Sequence, residues 1–214
     1  GLKVGLIGTI AKYIGDKCLG ESDRTTPESL ELQQIFAKMA EEKVDVVIME
    51  VSSQSLKLNR VAGCDFDYAI FTNFLRDHIS EKEHPDMQDY FNSKVKLFTM
   101  CKKAYINADD YSVIKLLKMN LNCEIKTFGI DNMSNLLAKD ITIMNNSADF
   151  KVKIENHNER IKTYIPGRFS VYNALAAISV AIQLGVTAEN IKSAMETVKV
   201  PGRSELVNNK KDLV

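Results

Sequence analysis

The sequence predicts an α/β fold, Rossmann-like in the broad sense: a mostly parallel sheet flanked by helices, with a small antiparallel β subsheet late in the chain. Val44-Asp45-Val46-Val47-Ile48-Met49 is a near-continuous apolar run rich in β-branched residues, the pattern of a strand buried on both faces of a parallel sheet, and Phe66 to Phe71 and Ala104-Tyr105-Ile106 read alike. Such runs alternate with helically spaced segments, as in doubly wound sheets. From Cys123 to Tyr164 the pattern changes to short alternating segments separated by Asn, Asp and Ser.

In chain order, Val4 to Ile7 reads as an opening strand. Leu32, Ile35, Phe36, Met39 and Ala40 then recur at helical spacing, with Thr26 as expected N-cap and Pro27 at the first helical position. The Val44 and Phe66 strands follow, and a second helix is expected from about Asp86 to Lys102. After the Ala104 strand, Glu124 to Phe128, Ala138 to Met144, Phe150 to Glu155 and Arg160 to Ile165 make the expected antiparallel sheet, within residues 121–165. Val171 to Leu184 is an alanine-rich helix closed by Gly185, and Ala188 to Thr197 a further helix before Pro201-Gly202.

At 214 residues and 45% hydrophobic, the chain can bury a core without staples. Lys+Arg and Asp+Glu are 28 each, so the net charge is +0, which argues against a general nucleic-acid or anionic-membrane binder and for small molecules or proteins as partners. Cys18, Cys64, Cys101 and Cys123 lie far apart with no metal-type spacing, and read as reduced core thiols of a cytoplasmic protein. No apolar run approaches the ~20 residues that span a bilayer. The chain opens inside a strand without Met and is expected to be a piece of a longer protein.

Open α/β sheets bind ligands beyond the carboxyl ends of their strands. The Val44 strand ends in Glu50-Val51-Ser52-Ser53, the Phe66 strand in Thr72-Asn73 leading to Arg76-Asp77-His78, and the Ala104 strand in Asn107-Ala108-Asp109-Asp110. Each reads as a solvated loop or as part of one ligand edge. On the second helix Lys94 falls on the stripe of Met87, Phe91 and Phe98, so it points inward while Lys96 points out. Such a lysine snorkels, pairs with a carboxylate, or loses its charge. A neutral amine can take up carbon dioxide as a carbamate, which would make Glu50, His78 and Lys94 a set suited to magnesium. Thr25-Thr26-Pro27 offers either an N-cap or an anion site, and Arg60 and Arg203 are possible anion clamps. There is no G-x-x-x-x-G-K-[ST], and Gly5-Leu6-Ile7-Gly8 is a poor dinucleotide fingerprint.

In order, Gly5-Leu6-Ile7-Gly8-Thr9-Ile10, Thr25-Thr26-Pro27-Glu28-Ser29-Leu30, Met49-Glu50-Val51-Ser52-Ser53, Thr72-Asn73-Phe74-Leu75-Arg76-Asp77-His78, Tyr90-Phe91-Asn92-Ser93-Lys94, Pro166-Gly167-Arg168-Phe169 and Val200-Pro201-Gly202-Arg203 resemble the central domain of the Mur ligases, in particular the UDP-N-acetylmuramoyl-tripeptide synthetases. The resemblance spans nearly the whole chain. It implies an ATP-dependent ligase of peptidoglycan precursor synthesis that phosphorylates the glutamate carboxyl of UDP-MurNAc-L-Ala-D-Glu and lets the amine of a diamino acid attack the acyl phosphate. It further implies that Glu50 and His78 are Mg2+ ligands, that Lys94 is a carbamylated catalytic lysine and third ligand, that Thr25, Thr26, Ser52 and Arg60 hold the UDP-muramyl dipeptide, and that Asn173 and Arg203 contact ATP. The family's P-loop is expected upstream of Gly1, and the domain that selects the incoming amino acid after Val214. Gln54, the stretch Ile79-Ser80-Glu81-Lys82-Glu83-His84-Pro85 and Ser170 depart from the common family pattern, which leaves open a related ligase with another acceptor, such as folylpolyglutamate synthase, or a non-catalytic muramyl-peptide binder.

Overall fold

The computed structural model describes residues 1–200, so Arg203 lies outside the described residues. The chain divides into two compact units, the first made of Gly1–Phe66 and Leu75–Cys101, the second of Asp67–Phe74 and the residues from Lys102 onward.

In the first unit, β1 (Val4–Ile7), β2 (Ala11–Ile14), β3 (Lys17–Glu21) and β4 (Val46–Met49) form a sheet of order β3-β2-β1-β4. β1 and β4 pair in parallel with Ile7 opposite Met49, as expected of the opening and Val44 strands. The hairpin β2–β3 was not anticipated. Its signal is Ile14-Gly15-Asp16-Lys17, a two-residue loop in which Gly15 takes φ 54, a left-handed conformation that glycine adopts without steric cost. Helix α1 (Ser29–Glu41) packs Leu32, Ile35 and Met39 against Ile7 and Leu56. The expected cap is corrected: α1 starts after Glu28, and Thr26 is employed elsewhere. β4 is also not buried on both faces, since Val47 and Ile48 are 41% and 54% exposed.

A short helix α2 (Ser53–Lys57), capped by Ser52, occupies what reads as a loop after Glu50. Helix α3 (Met87–Val95) is capped by Asp86 and tightens into a 3-10 turn at Lys96–Thr99. It therefore ends well before Lys102, which lies in the next strand.

The second unit holds a sheet of order β5-β6-β7-β8, from β5 (Phe66–Phe71), β6 (Cys101–Asn107), β7 (Glu124–Gly129) and β8 (Leu136–Leu137). A short helix α4 (Val113–Leu117) follows β6. β7 pairs in parallel with β6, so Glu124 to Phe128 belongs to this sheet and not to the antiparallel one. The antiparallel sheet is β9 (Lys139–Met144), β10 (Ser147–Ile154) and β11 (His157–Thr163), narrower than the expected 121–165. In β10 Phe150, Val152 and Ile154 are buried while Lys151 and Lys153 are exposed, the period of a half-buried strand. Helix α5 (Arg168–Gln183) lays Val171, Leu175 and Ile178 on this core and stops before Gly185 at φ 73, and α6 (Ala188–Thr197) has the bounds read from the sequence.

The four cysteines are free, Cys64 buried but Cys18 exposed, which corrects its reading as a core thiol. Among the described residues no helix is long and apolar enough to cross a membrane.

Candidate functional site

Glu50 leaves the carboxyl end of β4, its N–H donating to Ile7 O at 2.9 Å, so its side chain stands beside the turn that follows β1. Thr9 grips that carboxylate: Oε2 accepts from Thr9 Oγ1 at 2.8 Å and Oε1 from Thr9 N at 3.3 Å. A Cβ on Gly8 would stand 2.7 Å from Glu50 Oε1, so the glycine makes room for the carboxylate. Thr25 Oγ1 lies 3.1 Å from Thr9 Oγ1. Thr26 is fully buried, and its hydroxyl donates to Glu50 O at 2.8 Å and accepts from Ser52 N at 3.0 Å, fixing the turn between β4 and α2. Ser52 Oγ accepts from Ser55 N at 3.1 Å as the α2 cap.

Arg60 is 5% exposed, with Nη2 3.1 Å from Glu28 Oε1 and no acceptor for Nε among the described residues. A buried guanidinium N–H without an acceptor costs free energy, and a ligand acceptor would remove that cost.

His78 takes φ 59, an uncommon conformation for a side-chain-bearing residue and one found at functional sites. Its Nδ1 lies 2.9 Å from Glu83 Oε2, while Nε2 stands 3.7 Å from Asp77 Oδ2. Lys94 is half-buried and Lys96 exposed, as the helical stripe predicts. Lys94 Nζ stands 5.3 Å from the centroid of the Tyr90 ring, and the His78 ring 5.6 Å from the same ring, itself 4% exposed. Tyr90 thus links the two residues. The donors are hard or borderline, a carboxylate and an imidazole. No group of three or more His, Cys, Asp or Glu able to hold a metal occurs among the described residues. Mg2+ keeps several waters and takes one or two protein ligands, so a carboxylate and an imidazole are compatible with it in type.

In the second unit, Thr72, Asn73, Asn107, Asp109, Phe169 and Asn173 line a cleft of about 210 Å³. Of the three polar clusters expected on one edge, the Glu50 cluster is not among the lining residues, while those after β5 and β6 line this cleft together. Asp109 is its organiser. Oδ2 accepts from Ile130 N at 2.6 Å, Asp131 N at 3.0 Å and the Tyr172 hydroxyl at 2.9 Å, and Oδ1 from Asn132 N at 2.7 Å. Burial pushes the Asp109 carboxyl up, but the three backbone amides and Tyr172 outweigh it and hold the group below the usual carboxylate range. Asn173 is exposed on the first half of α5, and Phe169, 54% exposed, offers a ring face at the cleft.

Sequence reasoning missed Thr9, Glu83, Asp109 as the organiser, Phe169 and Tyr172. Asp109 had a signal, its place in the polar cluster after β6. Thr9 and Tyr172 act through residues 41 and 63 positions away, and Glu83, though five residues from His78, meets it only because of the fold of their loop, so no regular spacing reveals them.

Residues 1–181 match the Mur ligase middle domain family. The chain is 44% identical over its whole length to a UDP-N-acetylmuramoyl-L-alanyl-D-glutamate--2,6-diaminopimelate ligase of Clostridium botulinum, of which it spans 44%. It is 45% identical, over 98% of its length and 43% of the relative, to the ligase of the same name from Caldanaerobacter subterraneus. A solved structure with that ligase name superposes with a TM-score of 0.84 at 24% identity, covering 98% of this chain and 44% of that one. The chain therefore spans less than half the length of these relatives.

Proposed function

The chain belongs to the Mur ligase family, and from that premise we propose that it is the central domain of an ATP-dependent ligase that joins 2,6-diaminopimelate to UDP-MurNAc-L-Ala-D-Glu in peptidoglycan precursor synthesis. The observation that carries this reading is the pair of loops bearing Glu50 and His78: a carboxylate gripped by Thr9 at the end of a parallel strand, and an imidazole held by Glu83 through Nδ1, with Nε2 on the opposite side of the ring.

In this reading Glu50 and His78 hold Mg2+ and Lys94, carbamylated, is the third ligand; the cation, when bound, neutralises phosphate charge. Carbamylation joins the neutral Nζ to the carbon of carbon dioxide, with loss of one proton, and turns a cationic side chain into an anionic one. Thr25, Ser52 and Arg60 orient the UDP-muramyl dipeptide with Thr26 behind them, and the Arg60 Nε that lacks an acceptor supports an anion there. Asn173 would contact ATP at this cleft, where Phe169 offers an apolar surface to the nucleotide. Arg203, also assigned to ATP, lies beyond the described residues. Positioned in this way, the dipeptide glutamate carboxylate attacks the γ-phosphorus and releases ADP. The diamino acid amine then attacks the acyl carbon, loses a proton and expels inorganic phosphate. The protein's part is positioning and charge compensation.

The test is phosphate release by the full-length ligase with ATP, Mg2+, UDP-MurNAc-L-Ala-D-Glu and either meso-diaminopimelate or L-lysine. Release that requires the nucleotide peptide and diaminopimelate is expected. Release with L-lysine instead would reassign the amine, and none with either would overturn the ligase reading in favour of another acceptor or a binding module.

Gly8→Ala separates site geometry from stability. The added methyl meets only the far end of the Glu50 side chain, which can turn away, so the unfolding free energy should change by under about 1 kcal/mol. The carboxylate must leave Thr9, however, and phosphate release at limiting Mg2+ should fall about tenfold, on the scale of lost outer-shell orientation.

A further inference from the structure

Resting on the cation reading of Glu50 and His78, we propose that His84 is a positioning residue that holds the His78 loop to the segments bearing Glu50 and Lys94. His84 is fully buried, and both ring nitrogens are engaged: Nδ1 lies 2.6 Å from Asp89 Oδ2 and Nε2 2.9 Å from Ser53 Oγ. Ser53 opens α2 three residues after Glu50, and Asp89 lies on α3 five residues before Lys94. One imidazole therefore joins α3, which carries Lys94, to α2, which begins three residues after Glu50.

Its backbone closes on the third. His84 N–H donates to His78 O at 3.2 Å, Ser80 N–H donates to His84 O at 3.0 Å, and Ile79 and His84 form an isolated β-bridge. A residue at φ 59 persists where its surroundings over-determine it, and these bonds do so for His78. Lys57 reinforces the tie, its Nζ donating to Asp89 Oδ2 at 2.8 Å and to Glu83 O at 2.9 Å. Lys57 first, and His84 after it, hold the Asp89 carboxyl below the usual range, so Asp89 accepts from His84 Nδ1–H, while Nε2 shares a hydrogen bond with the Ser53 hydroxyl.

Ser53, His84 and Asp89 have the connectivity of a nucleophile–base–carboxylate triad. Yet Ser53 is only 5% exposed, His84 is fully buried, and Lys57 shares the same Asp89 oxygen. Burial of Ser53 and His84 and the sharing of Asp89 with Lys57 suit a structural tie and not an exposed nucleophile. The tie also gives a role to His84 within the stretch Ile79–Pro85, where this sequence departs from the common family pattern.

The test measures Mn2+ binding to the full-length protein by loss of the free-ion paramagnetic resonance signal, alongside amide exchange and thermal midpoint. His84→Ala is expected to weaken Mn2+ about tenfold or more, the usual cost of losing an outer-shell partner, and to raise exchange in residues 76–84 while α1 keeps its protection. Ser53→Ala, which deletes one hydroxyl and tests the tie even where His84→Ala does not fold, should weaken it about threefold. Glu50→Gln is the control. If it weakens Mn2+ while folded His84→Ala and Ser53→Ala bind as wild type, the positioning role is overturned and the cation reading stands. If Glu50→Gln leaves Mn2+ binding unchanged, the cation reading falls and the inference with it.

Discussion

Lys94→Ala in the full-length ligase is expected to lower ATP-dependent phosphate release by about 10³-fold, the scale on which removing a preorganised charge from a phosphoryl-transfer site is felt. The reason lies in the helix. Lys94 falls on the apolar side of α3, half-buried, with Nζ over the ring of Tyr90 one turn earlier. Two substitutions separate the roles an inward lysine can play. Lys94→Arg keeps a cation of similar reach but forms no carbamate, so it should be as inactive as Lys94→Ala if the working group is anionic, and retain activity if the ammonium itself is needed. Acetate or formate added to Lys94→Ala should restore part of the rate by returning a carboxylate to the vacated space, and should do nothing for Lys94→Arg, whose side chain still fills it. Release by Lys94→Ala within about threefold of wild type would remove Lys94 from the reaction altogether, since even a modest general contribution exceeds that.

What the sequence made legible follows from the range of the interactions concerned. Lys94 and the bounds of α6 were readable because helical periodicity and capping are set within four residues. The place of Glu50 was readable because a strand's carboxyl end is marked by the end of its apolar run. The cap of α1 was misread because Thr26, an excellent local cap, is drawn instead to Glu50 O and Ser52 N, 24 and 26 residues away. β7 was assigned to the wrong sheet because its residues alternate, and alternation does not reveal whether the neighbouring strand runs parallel or antiparallel. The roles of Glu83 and His84 were illegible for a related reason: besides its internal bonds, the loop that carries them is tied down by α2 and α3 side chains, Ser53, Lys57 and Asp89, 26 or more residues away or reached only through the fold.

Asp109→Asn is expected to destabilise the protein by about 2–4 kcal/mol at pH 7, through the loss of several hydrogen bonds to an ionised acceptor. The carboxylate gathers three consecutive backbone amides, those of Ile130, Asp131 and Asn132, together with the Tyr172 hydroxyl. Asparagine offers a single oxygen, and its amide N–H groups face donors. Tyr172 stays protonated, since burial, and then Asp109 itself, push its hydroxyl above the ordinary tyrosine value, so it keeps an O–H that needs an acceptor at position 109. The sign of the pH dependence follows. The folded carboxyl sits below the unfolded value of about 3.9, so its stabilisation is fully present above that value and is lost as pH falls through the lower, folded value. Urea unfolding should therefore give a wide gap between wild type and Asp109→Asn at pH 7, narrowing below about pH 4 as the wild-type carboxyl takes up its proton. Tyr172→Phe, which removes one neutral donor and leaves the three amides satisfied, should cost only about 1 kcal/mol. Because the same carboxylate sets the 130–132 turn beside the cleft, Asp109→Asn should also raise the KM for ATP more than that for the nucleotide peptide. Equal urea midpoints for wild type and Asp109→Asn at pH 7 would mean that the turn is held by its own backbone, and that Asp109 merely lines the cleft.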